Sequence, residues 1–233
     1  MTTVNPPRAE SAPAKRGTAD QVRFAAIRLI PSAVLLWALL VGLGYVLTRW
    51  VTHTAFARWD LSVDRGFAGH RNQSWNDATQ IGSHVAESYT VIAIAVVCFV
   101  GLRVVLGRWR ESLFLAVAVV GEVAIFVCTT LVIDRRRPAV PHLDSAPPTS
   151  SFPSGHVAAA VALYGALAVV VCLSSRRGWL RAAALVLAIG IAIVVGLSRL
   201  YRGMHFPTDV LGGALLSVLW LTATALVLMR DRR

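Results

Sequence analysis

Hydrophobic positions in this chain gather into six runs, at 29–47, 88–106, 113–133, 156–173, 179–197 and 210–229. Each is about twenty residues long, the length an α-helix needs to cross a hydrocarbon layer roughly 30 Å thick. Helices satisfy their own backbone groups, so runs of this kind predict an all-α, polytopic membrane protein with six transmembrane helices. The breaks between the runs are mostly short. The exception is 50–87, polar and mixed, where Trp59 and Trp75 read as interfacial anchors on helices lying along the membrane surface. The N-terminal stretch is rich in Pro, Ala, Ser and Thr without an apolar period, so residues 1–26 are expected to be a disordered cytoplasmic tail and 27–233 the membrane domain. Ala55-Phe56-Ala57 resembles a signal-peptide cleavage site, but the first run is too long for a signal core and ends well before it. It reads as an uncleaved span.

Charge orients the helices. Six spans put both termini on one side, and the N-terminal tail, the 107–110 break, the 176–181 break and the C-terminal tail are all basic. The positive-inside rule makes that side cytoplasmic. The breaks 50–87, 134–153 and 198–209 then face outward. Two of them carry arginines against the rule, Arg135 to Arg137 and Arg199 with Arg202, and an anionic ligand is the simplest reason for cations placed there. A formal net charge of +11 with 56% hydrophobic residues and a mean hydropathy of +0.62 fits attraction to anionic lipid. Nucleic acid is not the expected partner, because the basic residues form no face interleaved with aromatics. Cys98, Cys128 and Cys172 lie inside apolar runs and read as small membrane-core residues.

Two outward stretches carry chemistry. In 198–209, Arg199 offers a forked cation suited to phosphate, and Pro207 suits the first turn of a helix. Asp209 follows His205 by four residues, close enough to reach back to the imidazole. In 150–156, Pro153 again suits a helix start, and the amides of Ser154, Gly155 and His156 would face outward beside a positive helix end, as an anion site requires. Gly155 would let an oxygen approach the backbone, Ser154 adds a hydroxyl, and His156 can exchange a proton. Arg137, before Pro138, brings a further cation to the same face. Glu122, in mid-span, is expected to pair inside the bundle or to be protonated. His53, His70 and His84 read as solvated loop residues, with His84 and Glu87 also within reach of the site mouth. No HExxH, paired-carboxylate cluster or Walker loop occurs, so neither a metal nor a nucleotide cofactor is expected.

Pro153-Ser154-Gly155-His156, together with Ser198-Arg199, five residues, His205, three residues and Asp209, resembles the type 2 phosphatidic acid phosphatase family. These membrane lipid phosphatases share a core with vanadium haloperoxidases. The likeness spans roughly residues 80–229, and the family's first motif, a lysine, six residues and Arg-Pro, is met by Arg137-Pro138 but has Thr130 at the lysine position. The resemblance implies a metal-independent phosphatase acting on a lipid phosphate or diphosphate. In it His205 attacks phosphorus to form a phosphohistidine, Asp209 orients His205, and His156 protonates the leaving oxygen and later activates water. Arg137, Arg199, Ser154 and the Gly155 amide would hold the phosphoryl oxygens, at the outer ends of helices 3 to 6. If the third helix continues to Arg137, Thr130 lies two turns below it, and Arg135 or Arg136 is expected to supply part of the missing charge. Transfer to an acceptor other than water uses the same residues. A non-catalytic phospholipid-binding or transport protein on the same fold is the alternative that Thr130 keeps open.

Overall fold

The computed structural model describes residues 18–146 and 148–229. Of the expected tail, residues 1–17 lie outside the described residues, and 18–26 already belong to the first helix. The elements are α1 (Thr18–Tyr45), α2 (Ala55–Gly69), α3 (Gln73–His84), α4 (Ser88–Leu106), α5 (Arg110–Val132), α6 (Gly155–Ser174), α7 (Gly178–Tyr201) and α8 (Pro207–Leu228). A π-helical turn, Val46–Trp50, ends α1. Six of these helices are long and apolar enough to cross a membrane: α1 with its π turn, and α4 to α8. All expected spans are therefore present, with ends shifted by a few residues. Val105, 81% exposed, and Leu131, 80% exposed, point apolar surface outward from α4 and α5, as lipid-facing residues do.

The central element is α6, which packs against α4, α5, α7 and α8, while α1 closes the bundle against α5 and α8. Small residues let α6 and α8 approach closely. A Cβ on Gly213 would stand 2.3 Å from the Ser154 carbonyl oxygen, and the Ser217 hydroxyl donates to the Ala158 carbonyl at 2.7 Å. Phe152, fully buried, wedges between α1 and α8, where a Cβ on Gly44 or Gly212 would strike its ring. The expected surface helices are α2 and α3, capped by Thr54 and Asn72, whose side chains accept from the amides of Ala57 and Trp75. Trp59 and Trp75 are both exposed, while Asp60, Asp64, Thr79 and Ser83 turn inward against α7 and α8.

Three helix ends decide where the chemistry sits. First, α5 stops at Val132, with Ile133 extended, so the chain leaves the helix well before Pro138 and Thr130 shares no helical stripe with Arg137. The expectation of a helix reaching Arg137 is corrected here. The cause is tertiary: the Arg135 amide donates to Ser150 Oγ at 3.2 Å and its carbonyl accepts from the Ser151 amide at 2.9 Å. Second, α7 ends at Tyr201, and Gly203 two residues on has a φ of +73°. The Gly203 amide donates to the Leu200 carbonyl and the Met204 amide to the Arg199 carbonyl, a Schellman closure that turns the chain sharply toward His205. Third, α8 begins at Pro207, as expected, and Asp209 accepts from the Phe206 amide at 2.9 Å.

Candidate active site

Three separated loops meet at one end of the bundle, and hydrogen bonds join them. The Ser151 hydroxyl donates to the Arg136 carbonyl at 3.1 Å, tying 135–136 to 150–151. The Ser154 amide donates to the Asp209 carbonyl at 2.9 Å, tying the start of α6 to the start of α8. His205 Nδ1 lies 2.8 Å from the Ser151 carbonyl oxygen. A carbonyl oxygen only accepts, so Nδ1 carries the proton and Nε2 keeps its lone pair. Burial holds the imidazole pKa well below its usual value, with the positive charges of Arg199 and Arg137 adding to the effect. His205 is thus a neutral imidazole whose Nε2 lone pair is uncommitted among the described residues.

Asp209 does less for His205 than the spacing suggested. Its Oδ2 is 3.9 Å from Nδ1, beyond hydrogen-bond range, and accepts instead from Phe206 N. Its Oδ1 takes a short ion pair from Arg135. Arg135 also donates to Thr208 Oγ1 at 2.7 Å and to Asp60 Oδ2 at 2.8 Å, and its guanidinium lies 4.4 Å from the Phe206 ring centroid. Asp60 in turn accepts from the Thr208 amide and hydroxyl. A buried Asp60–Arg135–Asp209 chain therefore supports the loop carrying His205 from behind.

In front lies a cavity of about 440 Å³ lined by His156, His205, Arg137, Arg199 and Arg202, together with Ser83, Asp144 and the more exposed His84 and Glu87. Arg137 donates Nη1 to the Met204 carbonyl at 2.7 Å, and burial pushes its pKa down. Its Nε, the Nε of Arg199 and the Ser154 hydroxyl are all buried without a hydrogen-bond partner among the described residues. Leaving buried donors unmet costs roughly 1–3 kcal/mol each, so the two on arginines that line the cavity point to an anion that satisfies them, while Ser154 is not among the residues lining it. The Ser154 amide is already used, contrary to the expectation that it faces outward, because Ser154 is the N-cap and α6 starts at Gly155. Pro153 accordingly precedes the helix. The Gly155 and His156 amides remain in the first turn without intrahelical acceptors. Phe126 also restricts this position: a Cβ on Gly155 would sit 2.8 Å from its ring.

Arg135, Arg136 and Thr130 do not line this cavity. Arg135 and Arg136 face a second cavity of about 640 Å³ beneath the π turn, bounded by Tyr45, Leu47, Arg49 and Phe206, with only Arg137 common to both. The Thr130 hydroxyl bonds back to the Val127 carbonyl at 2.9 Å. The third arginine of the anion cavity is Arg202. Arg71, which sequence reasoning passed over, clamps the end of α7 by donating to the Tyr201 and Pro141 carbonyls. Asp60, Ser83 and Asp144 were missed too. Each lies in a polar stretch far in sequence from its partner, with no spacing to mark it.

A family model described as the PAP2 superfamily matches residues 111–233, just over half of the chain. The chain belongs to this family. Among relatives, it is 40% identical over 74 residues to the phosphatidylglycerophosphatase B of Bacillus subtilis (strain 168). That stretch is 30% of this chain and 34% of the relative, so the match spans about a third of the relative's length. Its fold is that of the crystal structure of a transmembrane PAP2-type phosphatidylglycerolphosphate phosphatase from Bacillus subtilis, with a TM-score of 0.72 and 24% identity over 87% of this chain and 96% of that one. This PAP2 member is a multi-pass, all-helical membrane protein.

Proposed function

We propose that the protein is a membrane lipid phosphatase that hydrolyses a lipid phosphate at the extracytoplasmic face through a phosphohistidine. The observation that carries the reading is the His205 tautomer, with Nδ1 committed to the Ser151 carbonyl and Nε2 free in a cavity shared with Arg137 and Arg199, whose Nε donors are unsatisfied among the described residues. Nε2 attacks phosphorus, the N–P bond forms, and the P–O bond to the lipid breaks as His156 delivers a proton to the leaving oxygen. His156 then takes a proton from water, which attacks phosphorus and releases phosphate and free His205. Arg137, Arg199, Ser154 Oγ and the Gly155 amide bind the phosphoryl oxygens, and their fixed charges and dipoles supply most of the stabilisation that phosphoryl transfer needs. The matching relative is a phosphatidylglycerophosphatase, which makes a phosphorylated glycerolipid the first substrate to try.

The test is phosphate release by detergent-purified protein from phosphatidate, phosphatidylglycerol phosphate and a polyprenyl diphosphate, with chelator present. Parent protein releases phosphate from at least one of them, and His205→Ala reduces release by 10⁴-fold or more while remaining folded. Near-normal release by the variant would remove His205 from its role, and an inert parent would favour a non-catalytic lipid-binding protein. Sidedness is read in the same preparation series. With the native cysteines removed, Ser145→Cys, on an exposed loop at the site end, reacts with an impermeant thiol reagent in intact cells, and Arg177→Cys does not. The reverse pattern places the site in the cytoplasm.

A further inference from the structure

The anion cavity holds a carboxylate that this chemistry does not use. Asp144 lies on the loop between α5 and α6, and its Oδ2 accepts from Arg199 Nη1 at 2.8 Å and from Arg202 Nε at 2.9 Å. Its Oδ1 accepts from Arg202 Nε at 2.8 Å and Nη2 at 2.5 Å. Arg202 is fixed from its other side, where Nη1 donates to the Asn76 carbonyl at 3.1 Å and to Thr79 Oγ1 at 3.4 Å. Arg199 Nη1 also donates to Ser83 Oγ at 2.6 Å. One end of the Arg199 fork is thus gripped, while its Nε, buried and unpartnered, is left for a ligand.

Charge is the second consequence. Burial alone would raise the Asp144 pKa, but the hydrogen bonds and charges of Arg202 and Arg199 outweigh it and hold the carboxyl below its usual range. Asp144 therefore stands ionised against Arg137, Arg199 and Arg202, and these four groups together carry two net positive charges. A phosphate monoester carries roughly 1.5–2 negative charges near neutral pH, which this balance matches. A second phosphate group would add about one more negative charge and would extend toward the mouth. The side chain of Asp144 is 28% exposed, and Glu87, whose partner His84 lies 2.6 Å away, lines the same cavity. Like charges at short range repel, and the loss is largest where water is partly excluded.

We propose that Asp144 is the specificity-determining residue of the site: it aims the Nε edge of Arg199 at the phosphate and selects a phosphate monoester over a diphosphate. The inference rests on reading the cavity as a phosphate site, so its test measures binding and not turnover. Titration calorimetry of the purified protein compares inorganic phosphate with methylenediphosphonate, a diphosphate stand-in that cannot be hydrolysed. The parent binds phosphate more tightly. Asp144→Asn shifts the ratio of the two affinities toward the diphosphonate by tenfold or more, and Asp144→Glu, which keeps the charge, retains the parent's preference. A parent that prefers diphosphonate overturns the proposal. So does an asparagine variant whose two affinities fall by the same factor, the result of a merely structural role. Should the asparagine variant not fold, the glutamate variant decides: loss of its preference for phosphate refutes the charge argument. Phosphate release from lipid is scored separately. Anion binding with the expected shift but without turnover supports the role of Asp144 and sinks the phosphatase reading alone.

Discussion

Arg135 and Arg137 are two residues apart and do different work. Arg135 touches Asp209, Asp60 and Thr208 and stays out of the anion cavity, whereas Arg137 lines it with an unpartnered Nε. Arg135→Ala should therefore lower kcat by tenfold or more with KM changed less than threefold, because the loop bearing His205 loses its backing. Arg137→Ala should raise KM, because it removes a donor from bound phosphate. Matching KM increases in both variants would return Arg135 to the phosphate and restore it as a stand-in for the lysine absent at Thr130. Asp64 supports a prediction about pH. It is fully buried with both oxygens unpartnered among the described residues, and burial, with Asp60 and Asp209 adding to it against Arg135 and Arg71, raises its pKa to about 8. Between the ordinary carboxyl value and about 8, the unfolded chain releases this proton and the folded chain keeps it, so stability falls as pH rises through that window and levels off above it. Asp64→Asn removes this dependence. Its melting temperature should gain on the parent's from pH 5 to pH 8, by at most roughly 1.4 kcal/mol of stability per pH unit. A gap that does not change with pH would mean Asp64 is ionised in the folded protein. At this scale the sequence was legible where motif spacing linked residues, as for His205, His156 and Arg199. It was silent on Asp60 and Asp144, whose partners lie 148 and 58 positions away.

Helices were more legible than their ends. Long apolar runs announce a span because no polar group interrupts them, and all six appear where expected. Where a span stops is settled by partners that the run does not contain. Ser150 and Ser151 take up the backbone of Arg135 and release α5 early, and the Asp209 carbonyl takes the Ser154 amide, so that α6 starts at Gly155, after Pro153 and not at it. The contact between α6 and α8 is where an element-scale change should tell most. Gly213→Ala forces a methyl group against the Ser154 carbonyl, whose neighbours are backbone and cannot rotate away. The cost should be at least the roughly 1–3 kcal/mol of an overpacked core, and activity should fall with it because the start of α6 is displaced. Gly190→Ala, with open space around the new Cβ, serves as the control and should leave melting temperature and activity unchanged. Equal behaviour of the two variants would mean that the helices can part without harm.

At the scale of the whole molecule, the two ends of the bundle are built for different purposes. The site end joins three loops by hydrogen bonds between residues that are distant in sequence. The opposite end has short links between α4 and α5 and between α6 and α7, and Arg110 there donates to the carbonyls of Leu228 and Met229, fastening α5 to the end of α8. The alternation of the spans made this division legible in the sequence, since basic breaks and motif-bearing breaks fall at opposite ends. The stitching of the loops was not legible, because it uses main-chain groups that every residue possesses. That stitching makes the active site a property of assembly. One polypeptide segment carries Arg137 and His156 and another carries Arg199 and His205, so neither half of the chain alone holds the whole cavity lining. The link at 175–177, remote from every site residue, is accordingly a natural place to divide the protein into two pieces whose reunion, and nothing short of it, would restore the chemistry.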